Sequence, residues 1–308
     1  MNRSSLGKGI FAGILSGVFW GTPFLVPMIL SGFTAFELTF GRFFFFGLVS
    51  LIFLPRVIRL CKQLSRVDLL KIFCLSATGY WLYTLVLFYG VQLTGGVVSS
   101  LIIGCLPLTI ILFSKPHFNI QLGLGLGLIL IGLLCLIVWP LFQTHVSLNL
   151  LEMSLIGLAS LFVALFMWTH FGIKNSRFLA SHQQIRPLDY SSLIGLFNLA
   201  CMIPLFGFFH GFSTLFTNPQ FESYLFWCAV LGLGASWLAN IFWAYSSKIC
   251  PPSIGGSLIV SETIFGLFYS FLFEERLPHG NEMIAIAALI LGVIFSIHSQ
   301  SKYHHRNN

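Results

Sequence analysis

Three ionisable side chains fall inside long apolar runs of this chain: Glu37, Arg42 and Glu262. Placing a charge at bilayer depth costs about 2.5–3.5 kcal/mol even on the lenient scale, so each is a functional candidate by default. Glu37 is expected near the outer end of its run, with Arg42 deeper in the same run and Glu262 well inside a later one. On a helix, Glu262 shares a face with Ile259, Gly266 and Tyr269, which suits a carboxylate facing a cavity beside a close helix contact. Such a carboxylate can bind a coupling proton or the cationic group of a substrate, under the influence of Arg42. The alternative is an architectural pair, Arg42–Glu262 or Arg42–Glu37, that only locks helices together. Glu274, Glu275 and Arg276 close the last of these runs and read as interface markers.

Aromatic and amide groups supply the remaining chemistry. Tyr80, Trp81 and Tyr83 in one run mirror Trp237, Asn240, Trp243 and Tyr245 in another, and such groups combine an apolar face with a polar handle or hold a cation. Trp and Tyr also anchor span ends at the interface. The candidate cavity set is Trp20, Tyr80, Tyr83, Asn240, Trp243 and Tyr245, with Glu37, Arg42 and Glu262 as coupling or ion-pair residues. His170 is a weaker candidate, since a single intramembrane His more often packs than shuttles protons. Seven Cys stand without CxxC or Cys/His spacing, so neither a metal site nor a disulfide framework is expected. The absence of HExxH, GxSxG or a carboxylate cluster argues against an enzyme, and the absence of charge rings against a channel. No phosphate-binding loop is present, which leaves a proton gradient or exchange as the energy source, and no cofactor is implied.

The elements that position these residues follow from composition. Of 308 residues, 56% are hydrophobic and 8% charged, with a mean hydropathy of +0.90, which excludes an ordinary soluble globule carrying about 25% charge. Apolar runs place ten helical spans near residues 8–30, 34–54, 69–92, 95–114, 120–141, 150–173, 190–212, 223–247, 253–273 and 281–299. Runs such as Leu122–Trp139 lack the alternation of a β-barrel strand. Arg3 and Lys8 precede the first span with no small-residue cleavage site after it, so it reads as a retained helix. With the N-terminus cytoplasmic, 14 of the 16 Lys and Arg fall on the inner side, Arg276 outside and Arg42 within a span. That asymmetry favours an even number of spans with both termini inside, and makes the +7 charge topological, so no nucleic-acid partner is needed. The longest connections, residues 55–68 and 174–189, are expected to be too short to fold alone.

Two stretches, from Gly79 and from Gly234, read alike: an aromatic span, a Gly-Gly pair (Gly95-Gly96, Gly255-Gly256), then a span interrupted at its middle by Pro107 or Glu262. A duplicated set of five helices inverts the second copy, as in alternating-access transporters. The expected units are residues 1–143 and 148–308. Gly9, Gly13, Gly17 and Gly21 in the first span, and Gly123 and Gly127 in the fifth, are expected to let helices approach closely, within a monomer or across a homodimer.

The segment Leu15-Ser16-Gly17-Val18-Phe19-Trp20-Gly21-Thr22-Pro23, followed by Arg42, resembles the opening of EamA-type members of the drug/metabolite transporter superfamily. The stretch Leu258–Phe295 is similar to the last two helices of that family. The resemblance covers essentially the whole chain. It implies two inverted five-helix repeats around a central cavity, and transport of small metabolites, amino acids or drug-like compounds. Family members often carry Pro in the ninth span as well as the fourth, whereas Glu262 is the approximate counterpart of Pro107 here. The expectation is an all-α integral membrane protein of the bacterial inner membrane, a secondary exporter or exchanger whose partners are a small-molecule substrate, protons as candidate coupling ions, and the lipid bilayer. A membrane-embedded enzyme or a channel acting on a lipid-like or small solute is the alternative.

Overall fold

The computed structural model describes residues 3–113, 119–143, 148–209, 213–249, 258 and 260–307; among the described residues every regular element is helical. In chain order these are α1 (Arg3–Trp20), α2 (Val26–Ile29), α3 (Ala35–Leu51), α4 (Leu54–Gln63), α5 (Arg66–Ser76), α6 (Leu82–Ile103), α7 (Leu106–Phe113) and α8 (Ile120–Gln143). Then follow α9 (Leu148–Ser181), α10 (Pro187–Phe209), α11 (Ser213–Phe216), α12 (Phe221–Ala229), α13 (Ala239–Ile249), α14 (Val260–Phe273) and α15 (Gly280–Asn307). Cys250 and the Gly255-Gly256 pair lie outside the described residues.

Among the described residues, five stretches are long and apolar enough to cross a bilayer: Gly7–Ile29, Arg66–Ile103, Met153–Leu179, Pro187–Phe209 and Phe221–Ser246. A sixth is added if α3 and α4, bent by 85°, count as one span. Ile120–Gly132, Val260–Phe273 and Gly280–Gly292 are shorter apolar helices. This division is coarser than ten separate spans, and two of its features have plain causes. The first stretch breaks after Trp20 into a 3-10 turn, Thr22–Phe24, and α2, because Pro23 and Pro27 donate no backbone hydrogen bond. The expected third and fourth spans are joined through α6, which turns at Gly95 (φ 82°, ψ 167°). Only glycine takes that conformation cheaply, so a kink stands where a loop was expected.

The connection at residues 55–68 also differs from expectation. Leu54–Gln63 is a helix, with Val57 and Leu60 buried while Arg56, Arg59 and Lys62 are exposed. That is the pattern of a helix lying along a membrane surface. Likewise α9 continues to Ser181, so much of the second expected loop is helical.

Helix ends carry local signals. The Thr34 hydroxyl accepts from the Glu37 backbone N–H at 3.2 Å, and Glu37 Oε2 accepts from the Thr34 N–H at 2.7 Å, a capping box that starts α3. Ser65 starts α5 by accepting from the Asp68 N–H at 3.1 Å. At the turn before α15, Arg276 donates to both oxygens of Glu282 at 2.6 and 2.7 Å and to Glu274 at 2.6 Å. The hydrogen bonds it donates to Glu282 hold the Arg276 guanidinium above its ordinary range, so it stays charged.

In the packed molecule α1 lies on α13 and α14, α3 on α10, α6 on α9 and α14, and α8 on α15. Gly13 and Gly17 of α1 face Leu258 and Ser261, and a Cβ on Gly21 would stand 2.8 Å from the Gly266 nitrogen, so the α1–α14 seam depends on missing side chains. Gly123 and Gly127 do not behave as expected: a Cβ on either meets nothing within 4 Å. Close approach of α8 to α15 falls instead at Gly132 and Gly292, with Gly125 O 2.7 Å from a Cβ on Gly292.

Two π-helical segments interrupt the α-helices, Ala77–Trp81 and Val230–Leu238. They contain Gly79 and Gly234, the first residues of the two similar stretches. A Cβ at Gly79 would collide with the Phe171 ring, and one at Gly232 would stand 2.6 Å from the Arg42 carbonyl oxygen. Each wide turn therefore draws a neighbouring helix in close, and both do so at the centre of the molecule, where π-turns commonly serve function.

Candidate functional site

Arg42 sits in the middle of α3 with 7% of its surface exposed, and its Nε donates to Ser236 Oγ in the second π-segment at 3.0 Å. Its Nη1 is buried without a hydrogen-bond partner among the described residues. Its Cζ lies 5.5 Å from the centroid of the Phe43 ring. From the facing side, α14 presents Glu262, 9% exposed. No ion pair within 4.0 Å joins the two among the described residues. The locked Arg42–Glu262 pair considered from sequence is therefore not the arrangement found. The guanidinium and the carboxylate instead share the wall of one cavity.

That cavity has a volume of about 50 Å³, and Trp20, Tyr80, Tyr83, Thr84 and Asn240 also line it. The elements explain why they meet. Trp20 is the last residue of α1, freed by the proline break. Tyr80 lies in the first π-segment, and Tyr83 and Thr84 follow in α6. Asn240 begins α13 just beyond the second π-segment, and its Nδ2 donates to Tyr80 OH at 3.4 Å. Thr84 is 1% exposed and its hydroxyl has no partner among the described residues.

A wider vestibule of about 380 Å³ adjoins the deep cavity and shares Trp20, Tyr80, Trp168, Phe171 and Asn240 with it. Trp243 completes its aromatic wall, 5.4 Å from the Trp20 ring. Phe171 meets Tyr80 edge-on at 5.4 Å and Trp168 at 5.9 Å. The vestibule reaches Asn175 and the exposed Arg177 at one face of the molecule. At the opposite face a separate pocket of about 510 Å³ is bounded by Met28, Thr34, Gln92 and Gly95. Between the two, Phe24 is buried against Gly266, and Gly96 packs on Met28, Ser270 and the Phe24 carbonyl. The deep cavity is thus approached from the Arg177 face and closed toward the Thr34 face.

Of the nine residues selected from sequence, Trp20, Arg42, Tyr80, Tyr83, Asn240 and Glu262 line the deep cavity, and Trp243 lines the vestibule. Two lie elsewhere. Glu37 is engaged in the capping box of α3, and its carbonyl accepts from Tyr224 OH at 2.7 Å. Tyr245 is 47% exposed and lines neither space, because the helical period turns it away from Trp243. His170 is exposed on α9 and borders neither space. Sequence reasoning missed Thr84, Trp168, Phe171 and Ser236. Thr84 was within reach, standing four residues after Tyr80 on the same helix face. Ser236 was not, because the π-turn that points it at Arg42 leaves no compositional mark.

Comparison with known proteins places this arrangement. Residues 7–138 match the EamA-like transporter family. YtfF, an inner membrane protein of Escherichia coli (strain K12), is 28% identical over 312 residues that span 95% of this chain and 96% of YtfF. A solved crystal structure 18% identical in sequence covers 98% of this chain and 99% of its own, with a TM-score of 0.64, so the fold is shared. The apolar helices, and the likeness to an inner membrane protein along nearly the whole chain, support a multi-pass membrane protein.

Proposed function

We infer from the match of residues 7–138 to the EamA-like transporter family, and from the cavity, that this chain is a secondary transporter of a small amphipathic metabolite, working by alternating access. The observation that carries the reading is the two-part cavity. A polar head group fits the space of about 50 Å³ under Arg42 and Glu262, while an apolar body lies among Trp20, Trp168, Phe171 and Trp243 in the vestibule. A few well-placed polar groups in an aromatic enclosure are the usual composition of a small-molecule site.

The packing pattern supports two inverted five-helix repeats, residues 1–143 and 148–308. Advancing each expected span by five exchanges the α1–α13 contact for α9–α6, and returns α3–α10 and α8–α15 to themselves. A two-fold relation of this kind lets one bundle rock against the other around a fixed central site. The charge asymmetry supports cytoplasmic termini in an inner membrane, which puts the Arg177 face and its vestibule on the cytoplasmic side. In this state the site loads from the cytoplasm while Phe24, Gly96 and Gly266 seal the other side, as an exporter or exchanger requires.

The test is flux into proteoliposomes. Saturable transport that weakens with Trp243→Ala is expected. Flux linear in solute concentration would make the protein a channel, and chemical conversion without movement would make it an enzyme.

A further inference from the structure

We propose that Arg42 and Thr84 form a carboxylate-binding half-site, and that a bound carboxylate competes with Glu262 for Arg42, so that ligand arrives together with one proton on Glu262. The use made of the cavity rests on the transporter reading above; the chemistry of its wall does not.

Two residues of the cavity wall carry a buried polar atom with no partner among the described residues, Arg42 Nη1 and Thr84 Oγ1. Among the described residues, Thr84 and Ser191 are the buried hydroxyls left without a partner, and of the two only Thr84 borders the cavity. Thr39, Ser50, Thr94 and Ser100 each give their hydroxyl to the carbonyl four residues back, at 2.7–3.0 Å. The corresponding residue for Thr84 is Tyr80, inside the π-segment, and the Thr84 hydroxyl makes no such bond. An unmade hydrogen bond at a buried site is costly, so an acceptor is wanted there. Arg42 supplies N–H donors only. With Nε already committed to Ser236, Nη1 calls for an anionic or carbonyl oxygen. Both atoms asking for an acceptor in one space of about 50 Å³ suits the two oxygens of a single carboxylate.

Charge balance then brings in Glu262. The titratable and charged groups around it are Arg42 from α3, and Tyr80 and Tyr83 from the π-segment and α6; α1 and the 3-10 turn present none at this depth. Free phenols titrate near pH 10, so Arg42 and Glu262 set the net charge at neutral pH. When Glu262 is ionised, the empty cavity holds one positive and one negative charge. A carboxylate added to these would leave an uncompensated negative charge in a poorly solvated space, which is expensive. If one solvent proton enters through the vestibule and neutralises Glu262, the Arg42 charge balances the ligand carboxylate and the cavity is neutral again. No other group has to move.

The probes are 3-phenylpropionate, 3-phenylpropylamine and 3-phenylpropanol, titrated into the detergent-purified full chain between about pH 6 and pH 8 by calorimetry. Expected is tightest binding of the carboxylate, with Kd falling by up to about tenfold per pH unit as pH drops, for one linked proton. Thr84→Val should weaken the carboxylate about tenfold or more and spare the amine; Thr84→Ser, which keeps the hydroxyl, should restore affinity and exclude a folding defect. Glu262→Gln should bind the carboxylate and lose the pH slope. Carboxylate binding no tighter than the alcohol, no loss in Thr84→Val, or a pH slope retained in Glu262→Gln would each overturn the proposal. If the amine binds and is transported without a carboxylate preference, the half-site fails while the transporter reading stands. Tight, proton-linked carboxylate binding with no flux in vesicles would uphold the half-site and overturn the transporter reading.

Discussion

Replacing Ser236 by alanine separates a ligand-binding Arg42 from a merely buried one. Ser236 Oγ accepts from Arg42 Nε at 3.0 Å, the one side-chain hydrogen bond of this guanidinium among the described residues. A hydrogen bond to a charged group contributes about 1.5–3 kcal/mol, and its loss leaves Nε without a partner. The guanidinium is then free to turn toward Glu262, and any ligand must recover that rotation. At 1.4 kcal/mol per factor of ten, the Kd of a cavity ligand should rise at least about tenfold. The control is Ser50→Ala. Ser50 is equally buried and its hydroxyl bonds to the Phe46 carbonyl at 2.8 Å, but it borders no part of the cavity. Both variants lose one buried hydroxyl, so a general loss of stability lowers both melting temperatures in detergent alike. Calorimetric titration with 3-phenylpropionate should show weakened binding in Ser236→Ala alone. Wild-type affinity in Ser236→Ala, or an equal loss in Ser50→Ala, would refute the positioning role of Ser236.

Other parts of the structure make their own demands. Trp20→Ala and Trp243→Ala remove either half of a ring pair 5.4 Å apart, and each should raise the half-saturating substrate concentration several-fold in proteoliposomes, in line with about 0.5–1.5 kcal/mol per aromatic pair beyond its buried area. Gly17→Val drives a side chain into Ser261 across the α1–α14 seam, whereas Gly123→Val meets open space; thermal unfolding in detergent should show a loss of about 1–3 kcal/mol for the first and almost none for the second. Glu37→Gln and Tyr245→Ala should leave ligand affinity unchanged by calorimetry, since neither side chain lines the cavity.

The cavity was legible in the sequence to the extent that cost marks position. Arg42 and Glu262 stood out because a charge is expensive in an apolar run, and Trp20, Tyr80, Asn240 and Trp243 because polar handles are rare there. Glu37 stood out by the same rule and caps a helix instead: a carboxylate three residues after Thr34 at a helix start reads as a capping box, a local signal that outweighs its burial. Spans were readable as apolar runs, but the joining of α5 to α6 and the kink at Gly95 were not, because a glycine in such a run is compatible with a loop, a bend or a packing contact. The π-segments had no signature, as their extra residue per turn is set by tertiary packing at Phe171 and at the Arg42 backbone. Ser236 and the free Thr84 hydroxyl depend on those turns and were hidden with them.

Counterflow tests the central claim most directly. Proteoliposomes loaded with unlabelled 3-phenylpropionate are diluted into a trace of the labelled compound with no other driving force. A cavity that opens alternately to either side should drive transient accumulation of label above equilibrium in the wild type; Glu262→Gln should still exchange but no longer respond to an imposed pH gradient. A wild-type protein that binds the compound yet shows no counterflow, or an overshoot untouched by Trp20→Ala and Trp243→Ala, would contradict transport through this cavity.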